Sequence, residues 1–71
     1  MSKQRATFRL VVGWVDTGDD GVLADLHGVN HPVLGQEDAV ITSRVVRIDH
    51  DDRGNVCEIE TRNTVYTRVQ A

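Results

Sequence analysis

The chain has little of what a small domain usually relies on for stability. It holds one cysteine, one proline, and one each of phenylalanine, tryptophan and tyrosine in 71 residues. With Cys57 alone no internal disulfide can form, and that residue reads most simply as a small buried hydrophobe. A single domain of this length buries only about 60% of the surface its unfolded chain exposes, so stability must come from close packing, a partner or self-association. Uninterrupted apolar stretches run to a few residues only, far short of the roughly 20 that a membrane-spanning helix needs, and no leader pattern opens the chain. Together with the lone cysteine, these absences predict a cytoplasmic protein.

Charge is unevenly supplied. Eleven acidic and eight basic residues give a net charge of −3. Lys3, Arg5 and Arg9 make the start basic, while Asp16, Asp19, Asp20 and Asp25, and later Asp49, Asp51 and Asp52, form two acidic groups. Proteins that bind nucleic acid are usually net basic, with lysine and arginine gathered on one face. That counts against general nucleic-acid binding and leaves room for a local basic patch.

What the sequence does have is alternation. Cys57, Ile59 and Thr61 fall on one side of Glu58, Glu60 and Arg62, the two-residue period of a half-buried strand. Arg62-Asn63 separates this run from Thr64–Val69, where Val65, Thr67 and Val69 share a face. β-Branched and aromatic residues dominate there, as strands prefer, and Asn63 tolerates positive φ in a tight hairpin. Upstream, Asp49–Asn55 is a polar turn in which Gly54 can take positive φ. The strand before it has a phase fault, because no single register buries Ile41, Val46 and Ile48 together. A β-bulge near Ser43–Val45 repairs the fault and bends the strand.

The N-terminal half supplies a second hairpin. Phe8, Leu10, Val12 and Trp14 alternate with Arg9, Val11, Gly13 and Val15, and the bulkier even set is expected to face the core. Asp16–Gly21 is a turn by composition, followed by alternation over Val22–His27. Residues 28–38 have no clear period and contain Pro32, which cannot donate to a central ladder, so they read as one long loop. Residues 1–6 read as an N-terminal arm. Glu37-Asp38-Ala39 is the one place with room for a helical turn.

These elements predict a single all-β domain over 1–71, a small five-stranded, strongly bent sheet or SH3-like barrel. Val46, Ile48, Ile59 and Val65 are its expected core. Thin stability and unprotected sheet edges predict a homodimer, through a strand edge or through Trp14 and Leu23.

Chemistry is sparse. His27, His31, His50, Cys57 and Asp51-Asp52 match no zinc spacing, and the histidines read as solvated loop residues. Asp49–Asn55 lacks the regular acidic spacing and distal glutamate of a calcium loop. No glycine-rich phosphate loop is present, and no cofactor, metal site or catalytic residue is assigned. Binding is better supplied. Thr42, Ser43, Arg44, Arg47, Arg62 and Asn63 bring hydroxyls, an amide and guanidinium forks suited to a phosphate or carboxylate, and form a candidate nucleotide site. The simpler reading pairs Arg44, Arg47, Arg62 and Arg68 across strands with Glu58 and Glu60. The acidic turns, with Asp16, Asp19, Asp20, Asp51 and Asp52, form a candidate partner-binding surface. Trp14 reads as core; at the surface beside His27 it would instead anchor a partner.

The run Thr42, Ser43, Val45, Val46, Ile48, Asp49, then Thr61, Arg62, Asn63, Thr64 and Tyr66, with the early Gly13–Thr17, resembles the T-S-x-V-V-x-I-D and T-R-N-T-x-Y endings of short β proteins from bacteriophages and mobile elements of proteobacteria. About half the chain takes part, and the resemblance brings no catalytic residues with it. It implies a context in a bacterial host cell: a non-enzymatic, anti-defence accessory protein that inhibits a bacterial defence component, by binding a host protein or sequestering a signalling nucleotide. The alternative is an SH3-like module that binds nucleic acid or a partner peptide.

Overall fold

Side-chain alternation becomes strand pairing along nearly the whole chain. The computed structural model describes residues 3–69. In it β1 (Gln4–Phe8), β2 (Leu10–Asp16), β3 (Val22–His31), β4 (Gly35–His50), β5 (Val56–Thr61) and β6 (Thr64–Arg68) form one sheet in the order β1-β6-β5-β4-β3-β2. β1 also meets β3, with Thr7 opposite Asn30. Five strands therefore close into a barrel, and β2 lies outside it as an extra strand on β3. Successive strands from β2 onward are antiparallel, while β1 and β6 close the ring in parallel. The expected all-β, five-stranded barrel is the fold. Among the described residues the one helical piece is the 3-10 turn Gly18–Asp20.

The barrel bends because its longest strand changes partners. Residues 35–44 of β4 pair with β3, and residues 45–50 pair with β5. Two bulges flank the change. Leu23 faces Arg44 and Asp25 faces Ile41, so Thr42 and Ser43 together oppose Ala24. Val45 faces Thr61 and Arg47 faces Glu60, which leaves Val46 as the extra residue. The bulge expected near Ser43–Val45 is thus present, once on each edge. A bulge leaves a ladder amide without its usual partner. Thr42, buried at this point, meets that need: its Oγ1 accepts from the Ala24 N–H at 3.0 Å and donates to the Ser43 carbonyl at 2.8 Å.

The core is Ala6, Phe8, Ala24, Leu26, Val29, Ile59 and Tyr66, with Val11, Val40, Val45 and Val56 packed against it. Ile59 and Val65 are buried as expected. Val46 and Ile48 are not: they are 57% and 37% exposed. The bulge throws Val46 out of phase. Ile48 does lie on the same face as Ile59, its cross-strand partner, but it stands at an end of the barrel with nothing above it.

The N-terminal half also departs from its simple period. Phe8 is fully buried, yet Leu10, Val12 and Trp14 are exposed. The chain bends at Arg9, leaves β6, and continues on β3, with the Arg9 N–H donating to the His27 carbonyl at 3.0 Å. A further bulge at Val12 shifts the phase again. Arg9 can cross over β3 at this bend because Gly28 has no side chain. A Cβ there would stand 2.6 Å from Arg9 Cδ, and φ at Gly28 is +65°.

Two segments expected to be irregular are strands. Residues 28–31 end β3 and residues 35–38 begin β4, so the long loop shrinks to the turn Pro32-Val33-Leu34, and Glu37-Asp38-Ala39 is extended. The period is missing because Gln36–Ala39 run past the core and are exposed on both faces. Gln4–Ala6 likewise belong to β1, paired with β6, and are not an arm; Met1 and Ser2 lie outside the described residues. The Arg62-Asn63 hairpin forms without positive φ at Asn63. It is closed by Thr61, whose Oγ1 accepts from the Thr64 N–H at 3.2 Å.

Candidate functional site

Two hairpins flank an unfilled end of the barrel. The β2–β3 hairpin carries Asp16, Asp19 and Asp20, all exposed, and its turn is held by Asp16, whose Oδ1 accepts from the Gly18 N–H at 2.8 Å. The β4–β5 hairpin carries Asp49, Asp51 and Asp52. Between them lies Trp14, which faces the same side as buried Ala24, its register partner, but is 44% exposed. Trp14 shares one groove with Val22, Val46 and Ile48, and a second with Leu10, Val56 and the hairpin tip Gly54-Asn55. In register it lies three pairs away from Leu10–His27, so it does not stand beside His27.

β2 pairs with β3 on one side only, which leaves its other edge free along Leu10–Asp16. The strand exposes Leu10, Val12, Trp14 and Val15. A free, apolar strand edge offers both backbone hydrogen bonds and side-chain contacts to another chain. Sequence reasoning offered a strand edge and Trp14 as association surfaces but did not identify β2 as the free edge, because it placed Leu10, Val12 and Trp14 in the core. The available signals were the charged Arg9 inside an otherwise apolar run and Gly13, since glycine within a strand often marks a bulge.

The acidic residues divide by what they already hold. Asp51 organises its own turn: its Oδ1 accepts from the N–H groups of Arg53 (2.9 Å) and Asn55 (3.0 Å), and its Oδ2 accepts from Arg68 at 2.8 Å. The Arg68 guanidinium, aided by the Asn55 N–H, lowers the Asp51 pKa below the usual carboxylate range. Asp51 is thus a structural residue of the turn rather than a free recognition charge, while Asp19, Asp20 and Asp52 are exposed and make no ion pair among the described residues. Gly54 takes the expected positive φ, +83°.

The six residues proposed for nucleotide recognition also divide. Thr42 is interior, committed to the bulge. Arg47 lies on the outer face of the barrel and is saturated by carboxylates: it pairs with Glu60 at 2.8 Å, with Glu58 at 2.5 Å and with Asp49. Those three partners, Glu60 foremost, raise its pKa further above the ordinary guanidinium value. Lys3 joins the same outer network through Glu60, whose pKa is lowered by Lys3 and then by Arg47. Cross-strand pairing therefore accounts for Arg47, but not for Arg44 or Arg62, and Arg68 pairs with Asp51 instead of a glutamate. Ser43, Arg44, Arg62 and Asn63 do come together, with Lys3 and Val46, around one open cleft.

No three His, Cys, Asp or Glu side chains cluster as metal ligands among the described residues. His27 and His50 are exposed on strands. His31 is buried, contrary to its reading as a solvated loop histidine. Its Nδ1 accepts from the N–H groups of Val33 (3.0 Å) and Leu34 (3.2 Å), and its ring tilts against Tyr66 with centroids 6.1 Å apart. Burial raises the Tyr66 pKa. Cys57 is half-buried, is the extra residue of a bulge on β5, and donates its thiol to the Asp49 carbonyl. Among the described residues no helix is long and apolar enough to cross a membrane. Comparisons with protein-family models, curated proteins and solved structures find no match.

Proposed function

We propose that this is a non-enzymatic binding protein that docks onto a basic surface of a partner protein through the β2 edge and the open barrel end. The observation that carries this reading is the placement of Trp14. It stands exposed beside an unpaired strand edge, between two hairpins whose turns bear Asp19, Asp20 and Asp52. A tryptophan in a groove with acids around it fits the usual anatomy of an interface, an aromatic anchor inside a polar rim. The free carboxylates call for lysine or arginine on the other side, and would speed encounter with it. The resemblance to phage and mobile-element proteins supplies the setting: an accessory protein in a bacterial host cell that inhibits a defence component by covering its basic, nucleic-acid-binding surface.

The same edge is open to a second copy, so homodimerisation through β2 belongs to this reading. Two β2 edges pairing antiparallel would bring two Trp14 side chains to one seam. Sedimentation of wild type and Val12→Lys is expected to give a dimer and a monomer, respectively. A wild-type mass of one chain at tens of micromolar removes the dimer from the proposal.

The partner reading is tested by capture from a bacterial lysate with wild type, Trp14→Ala, and the triple reversal Asp19→Lys, Asp20→Lys, Asp52→Lys. A basic protein is expected on the wild type only, released by added salt because exposed charge pairs are screened over about 8–10 Å. Capture that survives both variants at high salt overturns the reading.

A further inference from the structure

We infer that the cleft between the β4 bulges and the β5–β6 turn binds the phosphate group of a nucleotide-sized ligand. Its lining is Lys3, Ser43, Arg44, Val46, Arg62 and Asn63, around an open volume of about 510 Å³. These residues come from three distant parts of the sequence, so the cleft is made by barrel closure and by the bulges rather than by a local motif. Three of the six carry positive charge and none carries negative charge, in a chain whose net charge is −3.

The cations are not equivalent to the others in the molecule. Arg47 and Arg68 are occupied by carboxylates, whereas Arg44 and Arg62 make no ion pair among the described residues. Arg44 also has room at its back. Its side chain lies over Gly21, where a Cβ would stand 2.9 Å from Nε. The Lys3 ammonium is fixed at the cleft by Glu60 and by the Thr61 carbonyl, to which it donates at 3.0 Å. These two guanidinium forks, a hydroxyl and an amide supply the donors that a phosphate dianion requires, while Lys3, already paired with Glu60 and the Thr61 carbonyl, has one N–H left to add. Val46, exposed by its bulge, adds the apolar wall that a nucleoside would lie against. The volume falls within the roughly 300–1,000 Å³ of small-molecule sites.

This cleft shares only Val46 with the groove under Trp14. The two surfaces can therefore fail separately, and Trp14→Ala is expected to leave nucleotide binding unchanged.

The test is an amide-resolved NMR titration of the full chain at physiological salt, with inorganic pyrophosphate, adenosine diphosphate and the dinucleotide pApA as probes. Shifts are expected at Ser43, Arg44, Arg62 and Asn63, with the nucleotides binding more tightly than pyrophosphate. The double variant Arg44→Ala, Arg62→Ala is expected to weaken adenosine diphosphate at least about tenfold, the scale of lost charge-assisted hydrogen bonds. The control Arg53→Ala, on the β4–β5 turn, is expected to bind as wild type. Equal loss in the control, shifts spread over the whole surface, or no saturation with any probe overturns the site. Pyrophosphate binding as tightly as adenosine diphosphate overturns the nucleotide assignment. A single-stranded oligonucleotide that binds far more tightly than pApA, along a surface extending beyond the cleft, overturns it in favour of nucleic acid.

Discussion

The two ends of the barrel are built from the same alternating strands and come out differently. At one end Ala6, Val29, His31, Thr61, Thr64 and Tyr66 are all buried, and three of the polar side chains have a clear use: His31 holds the β3–β4 turn, Thr61 closes the β5–β6 hairpin and the Thr64 hydroxyl donates to Gln4 Oε1. At the other end Trp14, Val22 and Ile48 are open to solvent although Trp14 and Ile48 lie on inward faces. Facing inward does not bury a residue; something must also lie across it. The filled end has the tight β3–β4 and β5–β6 turns, while the parallel β1–β6 seam runs from it to the open end. The open end has two hairpins that diverge, and it is the end that carries the acidic turns and the free β2 edge.

The sharpest way to break this comparison is to truncate one residue from each class. Ile59→Ala is expected to cost about 2–5 kcal/mol, the range for a fully buried aliphatic side chain, which is a large share of a small domain's stability. Val46→Ala is expected to stay within about 0.5 kcal/mol, as surface substitutions do. Chemical denaturation of both measures the contrast, and similar midpoints would mean that Val46 is covered.

The next largest effect tests how the bend between the two ends is held. Thr42→Val keeps the shape and removes the hydroxyl that receives the Ala24 N–H, so it is expected to cost about 1–3 kcal/mol, the scale of an unsatisfied buried donor. Thr42→Ser keeps the oxygen and is expected to cost less. If valine and serine behave alike in thermal melts, the bulge does not depend on that hydrogen bond.

Trp14→Ala is expected to cost only about 1–2 kcal/mol, below the usual value for a buried aromatic, because Trp14 is already half in water. Stability and partner capture thus separate at this position, which no residue of the filled end allows.

The smallest effect is a pH dependence at the β4–β5 turn. Arg68 and the turn N–H groups favour the ionised form of Asp51, so its folded pKa lies below its unfolded one. The stability it contributes is present at neutral pH, above the unfolded value of about 3.9, and is lost as pH falls through the folded value. Asp51→Asn is therefore expected to melt lower than wild type at pH 7, with the gap shrinking in acid. A gap that stays constant from pH 7 to pH 2 would show that the carboxylate's charge plays no part.

Residues 58–61 of β5 were legible in the sequence because they obey one rule at a time. Ile59 and Thr61 alternate with Glu58 and Glu60, and the barrel keeps that order. Legibility failed wherever a strand changed partner or outran the core. The bulge near Ser43 could be inferred from a phase fault, but not its twin at Val46, whose exposure depends on which neighbour β4 pairs with. Phe8 and Trp14 have the same parity and opposite fates: the bend at Arg9 and the bulge at Val12 leave Trp14 on the inward side opposite Ala24, but it stands on β2, outside the closed barrel, and is exposed. Residues 28–38 looked like a loop because Pro32 interrupts them and the side chains of residues 32–38 are exposed on both faces, where burial no longer selects a period, although Val29 and His31 before them are buried. Of the candidate recognition residues, Arg44 and Arg62 share a cleft, but Arg47 and Thr42 are spent on structure. Only three-dimensional pairing distinguishes them, since all four are polar residues on strands or at strand ends.

The parallel seam between β1 and β6 sets when this protein can fold. It joins Gln4–Phe8 to Thr64–Arg68, the two extremes of the described chain, and it buries Ala6, Phe8 and Tyr66 together. The β3–β4, β4–β5 and β5–β6 pairs form within hairpins and β1–β3 spans only the intervening β2, but this seam requires nearly the whole described chain to close as a loop before it stabilises anything. Such non-local pairings slow folding, and on a ribosome they cannot begin until the last strand has left the exit tunnel. Until then the β1 edge that will meet β6 waits unpaired, with the side chains of Ala6 and Phe8 not yet covered by Tyr66. Synthesis therefore passes through a window in which the nascent chain is open to capture by a chaperone, by another copy of itself, or by the partner it will later bind folded.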